Sequence, residues 1–168
     1  MRAEPAPGAS DPTALLLAYL DYYRATVVAK VDGLDDAQLR ARLVPSGWSV
    51  LELVKHLAFM ERRWVEWGFA GRPVPDPWGD QDDEGRWRVG AGEGPAAVVE
   101  RLDQVGRRTR LLVGRAPLAQ AARLGGRFVG DEPPPDLGWI LVHVLQEYAR
   151  HVGHLDVVRE LTDGAVGE

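Results

Sequence analysis

One long helix is predicted for Asp136–Leu161, which reads DLGWILVHVLQEYARHVGHLDVVREL. Three prolines precede the segment, Asp136 is a suitable N-cap, and Gly164 follows its end, as is typical of helix boundaries. Helical spacing places four apolar residues on one face: Ile140, Val144, Val158 and Leu161. The segment decides the fold, because this face needs other helices to pack against.

Two polar residues interrupt the apolar face of this helix. Glu147 and His151 lie near its middle and four residues apart, so their side chains stack one turn above the other. A carboxylate in a core is unfavourable unless it is paired or holds a metal. The pattern therefore indicates either a hydrogen-bonded pair or a metal site. His154 is interpreted as a further ligand or as a group that orients Glu147, and His143 could serve likewise.

Helical periodicity and end signals also predict other helices: 12–31, 35–43, 49–69 and 95–113. Gly106 lies in the middle of one of them and indicates close packing. No convincing strand is found. The predicted fold class is all-α, a four-helix bundle with long connections, in which sites are built from inward side chains on facing helices. One domain is predicted over 12–163, after a loose arm over 1–11.

The connection 70–94 is rich in proline, glycine and aspartate, and it contains two tryptophans. A structureless loop of this length is uncommon in a compact domain and is often functional. Its acidic run over 80–84 lacks the ligand spacing and glycine of a calcium loop. This run is therefore predicted to be solvated rather than to bind metal.

Composition narrows the possible functions of the 168-residue chain. The net charge of −5 argues against nucleic acid as a partner. No apolar run approaches the roughly 20 residues of a membrane span, and no signal-peptide pattern is found, so we expect a cytoplasmic protein without a membrane partner. The chain has no cysteine, which excludes a disulfide, a thiolate metal site and a protein thiol nucleophile. A homodimer is possible.

A third potential metal ligand is His56, which lies at the border of the apolar stripe of the second long helix. If the second and last long helices pack side by side, His56, Glu147 and His151 can converge. Two imidazole nitrogens and one carboxylate oxygen form a set that zinc accepts, with positions left open for water or substrate. Iron or nickel would also fit these donors. A lone histidine with an ordinary hydrogen bond is the alternative interpretation of His56.

Two motifs resemble the DinB-like superfamily: GWSVLELVKHL over 47–57, and EYARHVGHL over 147–155. The second motif is similar to the E-x-A-R-H-x-G-H form of a branch that is frequent in actinobacteria. The resemblance implies a four-helix bundle with a divalent metal held by His56, Glu147 and His151. His154 occupies the position where many members have glutamine. Mycothiol-dependent maleylpyruvate isomerases of the same superfamily also use histidine, glutamate and histidine.

The resemblance further implies a metal-dependent transferase that activates a low-molecular-weight thiol, such as mycothiol or bacillithiol, for attack on an electrophilic small molecule. Zinc is the expected ion, with nickel or iron as alternatives. The sulfur would come from this cosubstrate, because the chain has no cysteine. Arg150 is the predicted cofactor-binding residue, for a carboxylate of the thiol or the substrate. It could instead be a surface arginine paired with Glu52 or with an acidic loop. Two other functions stay open: a metal-dependent hydrolase or lyase that uses bound water, and a non-enzymatic metal-binding or stress-related bundle.

Overall fold

The computed structural model describes residues 3–8 and 11–167. Part of the predicted N-terminal arm, at positions 1, 2, 9 and 10, lies outside the described residues, as does position 168. Five α-helices are described: α1 (Pro12–Val31), α2 (Asp36–Arg40), α3 (Val50–Arg62), α4 (Pro95–Val113) and α5 (Leu137–Asp163). A π-helical segment, Arg63–Phe69, continues α3. The described residues form no sheet, only isolated bridges, and none of the helices among them is long and apolar enough to span a membrane.

The helix ends follow the capping signals of the sequence. Asp11 accepts a hydrogen bond from the Thr13 amide (3.0 Å), and Asp136 accepts one from the Trp139 amide (2.8 Å). Ser49 and Glu52 form a reciprocal capping box at the start of α3. Gly164 ends α5 in the left-handed conformation with φ of 75°, which glycine adopts without steric cost.

The predicted all-α bundle is confirmed, with α3 beside α5. α1 packs mainly on α5 and α3 mainly on α4, and α1 also contacts α4. The rings of His56 on α3 and His151 on α5 have centroids 5.3 Å apart. The predicted adjacency of the second and last long helices is therefore correct.

Three details of the helices differ from the predictions. The short helix ends at Arg40 rather than near Leu43, because Ala41 is already extended. The last seven residues of the second long helix are π-helical rather than α-helical. Leu161 is predicted on the apolar face of α5 but is 60% exposed. It lies in the last turn of α5, where most of its side chain faces solvent.

The π-helical segment ends against the connection between α4 and α5. The carbonyls of Phe69 and Trp67 accept hydrogen bonds from the amides of Arg123 (3.0 Å) and Arg127 (3.1 Å). These bonds satisfy carbonyls that the end of a helix leaves without partners. A Cβ on Gly126 would lie 2.1 Å from the Trp67 carbonyl oxygen. The close approach therefore requires glycine at this position.

Helix α3 is buried on all sides, from Val50 to Glu61. The bundle covers one face, and the connection 70–94 covers the other. Arg62 donates hydrogen bonds to the carbonyls of Pro75 (2.9 Å) and Asp76 (2.8 Å) of this connection. Lys55 of α3 pairs at 2.6 Å with Glu93, which lies just before the start of α4. The connection is thus a folded cover and not a structureless loop.

A buried ionic network joins the four long helices. Glu61 of α3 is 0% exposed and accepts hydrogen bonds from Arg24 Nε (2.9 Å) and Nη2 (2.5 Å). Its carboxylate also accepts bonds from Tyr148 Oη (2.7 Å) and Thr109 Oγ1. Burial disfavours the charged form of Arg24, but the Glu61 carboxylate outweighs burial and raises the Arg24 pKa above its ordinary value. A Cβ on Gly106 would lie 2.8 Å from Arg24 Cδ, which confirms the close packing predicted there.

Removing one partner from this network should destabilise the protein strongly. We expect Arg24→Met to lower the free energy of unfolding by about 3–5 kcal/mol, because it leaves the Glu61 carboxylate buried without its cation. The control is Arg110→Met, which removes a surface pair with Asp21 and should change the free energy by less than about 1 kcal/mol. Urea unfolding followed by circular dichroism measures both. Equal effects of the two substitutions would contradict the assigned role of the network.

Candidate metal centre

Three side chains of α3 and α5 converge in the structure. His56 comes from α3, whereas Glu147 and His151 lie one turn apart on α5. One ligand atom from each residue lies within 4.8 Å of the other two. The histidines are nearly buried, 9% and 6% exposed, and the Glu147 side chain is 19% exposed. The site is therefore enclosed by the bundle but opens towards solvent at the carboxylate.

The orientation of His56 is set by Asp80, a residue that the sequence analysis missed. His56 Nδ1 lies 3.0 Å from Asp80 Oδ2, and this carboxylate is 0% exposed. Arg63 donates to both oxygens of Asp80, at 2.6 and 3.1 Å. A carboxylate in contact with Nδ1 favours a proton on that nitrogen. The lone pair of Nε2 is then free for a metal.

Asp80 stays ionised although it is buried. Burial raises its pKa, but the hydrogen bonds from His56 and Arg63 together lower the pKa below the ordinary value. The prediction that the acidic run over 80–84 is solvated is therefore wrong for its first residue. No spacing rule links Asp80 to His56, since the contact spans 24 positions. The only signal in the sequence was the unusual length of the connection.

The second histidine, His151, is held between Glu147 and His154. Its Nε2 lies 3.3 Å from Glu147 Oε2, and its Nδ1 lies 3.3 Å from His154 Nδ1. Burial, with smaller contributions from His56, His154 and Arg150, lowers the pKa of His151 to about 3. The ring is therefore neutral near pH 7 and can offer a lone pair. His154 contacts the far nitrogen of His151 and lies outside the converging group of three.

A short hairpin in the connection 70–94 covers the site. The Asp82 amide donates to the Arg86 carbonyl and the Arg88 amide to the Asp80 carbonyl, both at 2.9 Å. The hairpin presents Trp87, whose ring stacks on His56 with centroids 4.1 Å apart and planes at 21°. Trp87 also meets His151 edge-on, with centroids 5.4 Å apart. One hairpin thus supplies both the hydrogen-bond acceptor and the aromatic cover of His56.

On the outer side of this cover lies an open groove of about 580 Å³. Trp48 and Trp87 line it, together with three arginines: Arg42, Arg86 and Arg88. Trp48 also packs against His154, with ring centroids 6.1 Å apart. Trp87 thus lines the groove and also contacts both histidines of the converging group.

The other two residues considered in the sequence lie at the edge of the site. His143 stacks on Trp139 (5.2 Å, 8°) and lies 4.3 Å from the Trp64 ring. Burial lowers its pKa, and the nearby Glu147 carboxylate partly opposes this effect. Arg150 is exposed and forms no ion pair with the described residues. The alternative pairing of Arg150 with Glu52 is not observed, since Glu52 pairs with Arg42 at 2.6 Å.

The chemistry of the three donors fits a divalent ion. Two neutral imidazoles and one carboxylate are typical of sites that leave coordination positions open. The hydrogen bond from His56 to Asp80 supplies the supporting contact that metal-bound histidines usually have. Zinc, nickel and iron all accept this donor set, so the identity of the ion stays a prediction, as does its binding.

The helical fold and the three converging donors define the class of this protein. It is a helical bundle with a candidate metal centre between the second and last long helices. Residues 15–164 match the family described as mycothiol S-transferase. The chain therefore belongs to the mycothiol S-transferase family, which is DinB-like. The predicted superfamily is confirmed.

One similar solved structure is that of a protein from Enterococcus faecalis, described as "Crystal structure of the conserved protein of locus from Enterococcus faecalis". The two chains are 17% identical with a TM-score of 0.65, and the match covers 94% of this chain and 100% of the other. At this identity the likeness shows a common fold alone. No curated protein matches the chain.

Loss of either histidine should abolish stoichiometric metal binding. We expect His56→Ala and His151→Ala to lose the ion, because each removes one of three donors. His143→Ala is the control and should retain it, since His143 lies outside the group. Elemental analysis of protein purified without a metal-affinity column gives the molar ratio of metal to protein. Metal retained in both ligand variants would show that the ion binds elsewhere.

Asp80→Asn should weaken metal binding without removing a ligand. The neutral amide holds the Nδ1 proton of His56 less strongly, and changes to such supporting partners typically reduce metal affinity about 10–100-fold. Competition with a chromophoric chelator measures the change. Asp83→Asn is the matched control, because Asp83 belongs to the same acidic run and is exposed. Equal affinities of the two variants would remove Asp80 from the site.

Proposed function

We propose that this protein is a metal-dependent thiol S-transferase that activates a low-molecular-weight thiol, mycothiol first, for attack on an electrophilic small molecule. Membership of the mycothiol S-transferase family supports the thiol and the transfer. The convergence of His56, Glu147 and His151 within 4.8 Å is the observation that carries the metal-dependent part. The absence of cysteine supports a sulfur supplied by the cosubstrate.

A bound divalent ion would lower the pKa of a coordinated thiol and so supply a nucleophile at neutral pH. Residues around the three donors would orient the ligands and keep water out of the site. Asp80 and Arg63 hold His56 in one orientation through hydrogen bonds of 2.6–3.1 Å. Trp87 excludes water from the His56 face. A dry site strengthens the electrostatic interactions within it.

Glu147 and Arg150 have different parts in the proposal. The Glu147 carboxylate is the most exposed of the three donors, so the thiol would approach over it. Arg150 is exposed and has no ionic partner among the described residues. It stays the predicted residue for a carboxylate of the thiol or the substrate.

Cobalt-substituted protein gives a direct test of thiol binding at the metal. A sulfur ligand adds an intense charge-transfer band in the near ultraviolet, so mycothiol should produce this band in the wild type. Bacillithiol, glutathione and simple thiols follow in the same assay. His143→Ala, in which the three donors are intact, should keep the band. His151→Ala should lose it together with the cobalt.

The absorption result separates the proposed function from its alternatives. A band together with turnover on model electrophiles supports the transferase. If no thiol produces a band at millimolar concentration, with cobalt shown to be bound, the transferase proposal is wrong. A water-activating hydrolase would then be the next function to assay.

A further inference from the structure

The guanidinium of Arg127 carries a charge that nothing in the described part of the chain neutralises. Arg127 is half-buried, and its side chain makes no hydrogen bond or ion pair with the residues at 3–8 and 11–167. The other shielded arginines bind carboxylates or carbonyls: Arg24, Arg40, Arg62, Arg63, Arg101, Arg108 and Arg159. A partly desolvated cation without a counter-charge is unfavourable in the free protein. An anionic ligand would relieve this situation.

Aromatic rings hold the Arg127 guanidinium in place. Its Cζ lies 4.2 Å from the centroid of the Trp64 ring and 5.8 Å from that of Trp78. Stacking on ring faces leaves the N–H donors, which point outward in the guanidinium plane, free for a planar acceptor. A carboxylate matches this fork of donors with two parallel hydrogen bonds.

The backbone also fixes the position of Arg127. Its amide donates to the Trp67 carbonyl at 3.1 Å, and the adjacent Gly126 packs so closely on this carbonyl that no side chain would fit. The Gly125 amide closes the turn by donating to the Phe128 carbonyl at 3.0 Å. The backbone of Arg127 is therefore already ordered before a ligand binds. Binding then loses little conformational entropy at this residue.

Ring contacts connect Arg127 to the part of α5 that carries Glu147. His143 lies on α5, one turn before Glu147. The His143 ring contacts Trp64, on which Arg127 stacks. A ligand held by Arg127 would thus lie beside the Glu147 edge of the site. The exposed ring of Trp139, 53% accessible and stacked on His143, adds a flat apolar surface there.

We propose that Arg127, with the rings of Trp64 and Trp139, forms a subsite for the carboxylate of a planar, carboxylate-bearing electrophilic substrate. The role of the ligand as a substrate rests on the proposed function, whereas the binding of the anion does not. The arginine-lined groove beyond Trp87 is the weaker candidate for such an anion. Two of its three arginines already pair with carboxylates, Arg42 with Glu52 and Arg86 with Asp82.

Isothermal titration with trans-cinnamate and cinnamamide tests the subsite. The two probes have the same planar shape, but only cinnamate carries a charge. We expect the metal-loaded wild type to bind cinnamate at least about tenfold more tightly than the amide, because hydrogen bonds between two charged groups are roughly twice as strong as neutral ones. Arg127→Met should remove this preference, and Arg127→Lys should retain part of it.

Two matched control variants test whether cinnamate binds at Arg127 rather than at another arginine. Arg123→Met changes an exposed arginine of the same connection. Arg88→Met changes the arginine of the other groove that has no carboxylate partner among the described residues. Both should bind cinnamate as the wild type does. Equal binding of the two probes to the wild type, no binding of either, or a loss in Arg88→Met with retention in Arg127→Met would each overturn the proposal.

A second measurement separates this inference from the proposed function. Arg127→Met should keep its cobalt and its thiol absorption band, because Arg127 contacts none of the three metal donors. In turnover assays of Arg127→Met, the KM for an acidic electrophile should rise. The kcat for a neutral analogue should be unchanged. If the wild type binds cinnamate through Arg127 but shows no thiol band, the transferase proposal fails and the anion subsite stands.

Discussion

The buried carboxylate of Glu61 constrains how the four long helices pack. Its partners come from three different helices: Arg24 from α1, Thr109 from α4 and Tyr148 from α5. A carboxylate with no access to water must have its acceptor positions filled. Any shift of one helix along another would break at least one of these bonds. The network therefore selects one arrangement of the bundle over others that would bury a similar apolar area.

This constraint reaches the candidate metal centre through α5. Tyr148 is fully buried and donates to Glu61 at 2.7 Å, which fixes the rotation of α5 relative to α3. Glu147 precedes it in the chain, and His151 follows three residues later. With Tyr148 fixed in the core, these neighbours are turned towards His56 on the adjacent helix. Tyr148 is thus a core residue that also positions the site.

The two long connections supply further side chains around the candidate metal centre. The hairpin in the connection 70–94 brings Asp80 and Trp87 to His56 from opposite ends of a short turn. The connection between α4 and α5 packs on the π-helical segment and presents Arg127. Loops carried by a rigid scaffold commonly supply binding residues in this way.

The sequence by itself determined the all-α class and the extents of the long helices, since capping residues and apolar spacing act over a few positions. It also singled out Glu147 and His151, because a carboxylate and a histidine one turn apart on an apolar face conflict with burial. His56 was added from its place on the second long helix and from the DinB-like motif around it. Only the tertiary structure decided that Asp80 is buried, that α3 is covered on all sides and that Arg127 has no counter-charge within the described part of the chain. Those features depend on contacts between residues far apart in the chain, and no local pattern encodes which loop side chain meets which helix.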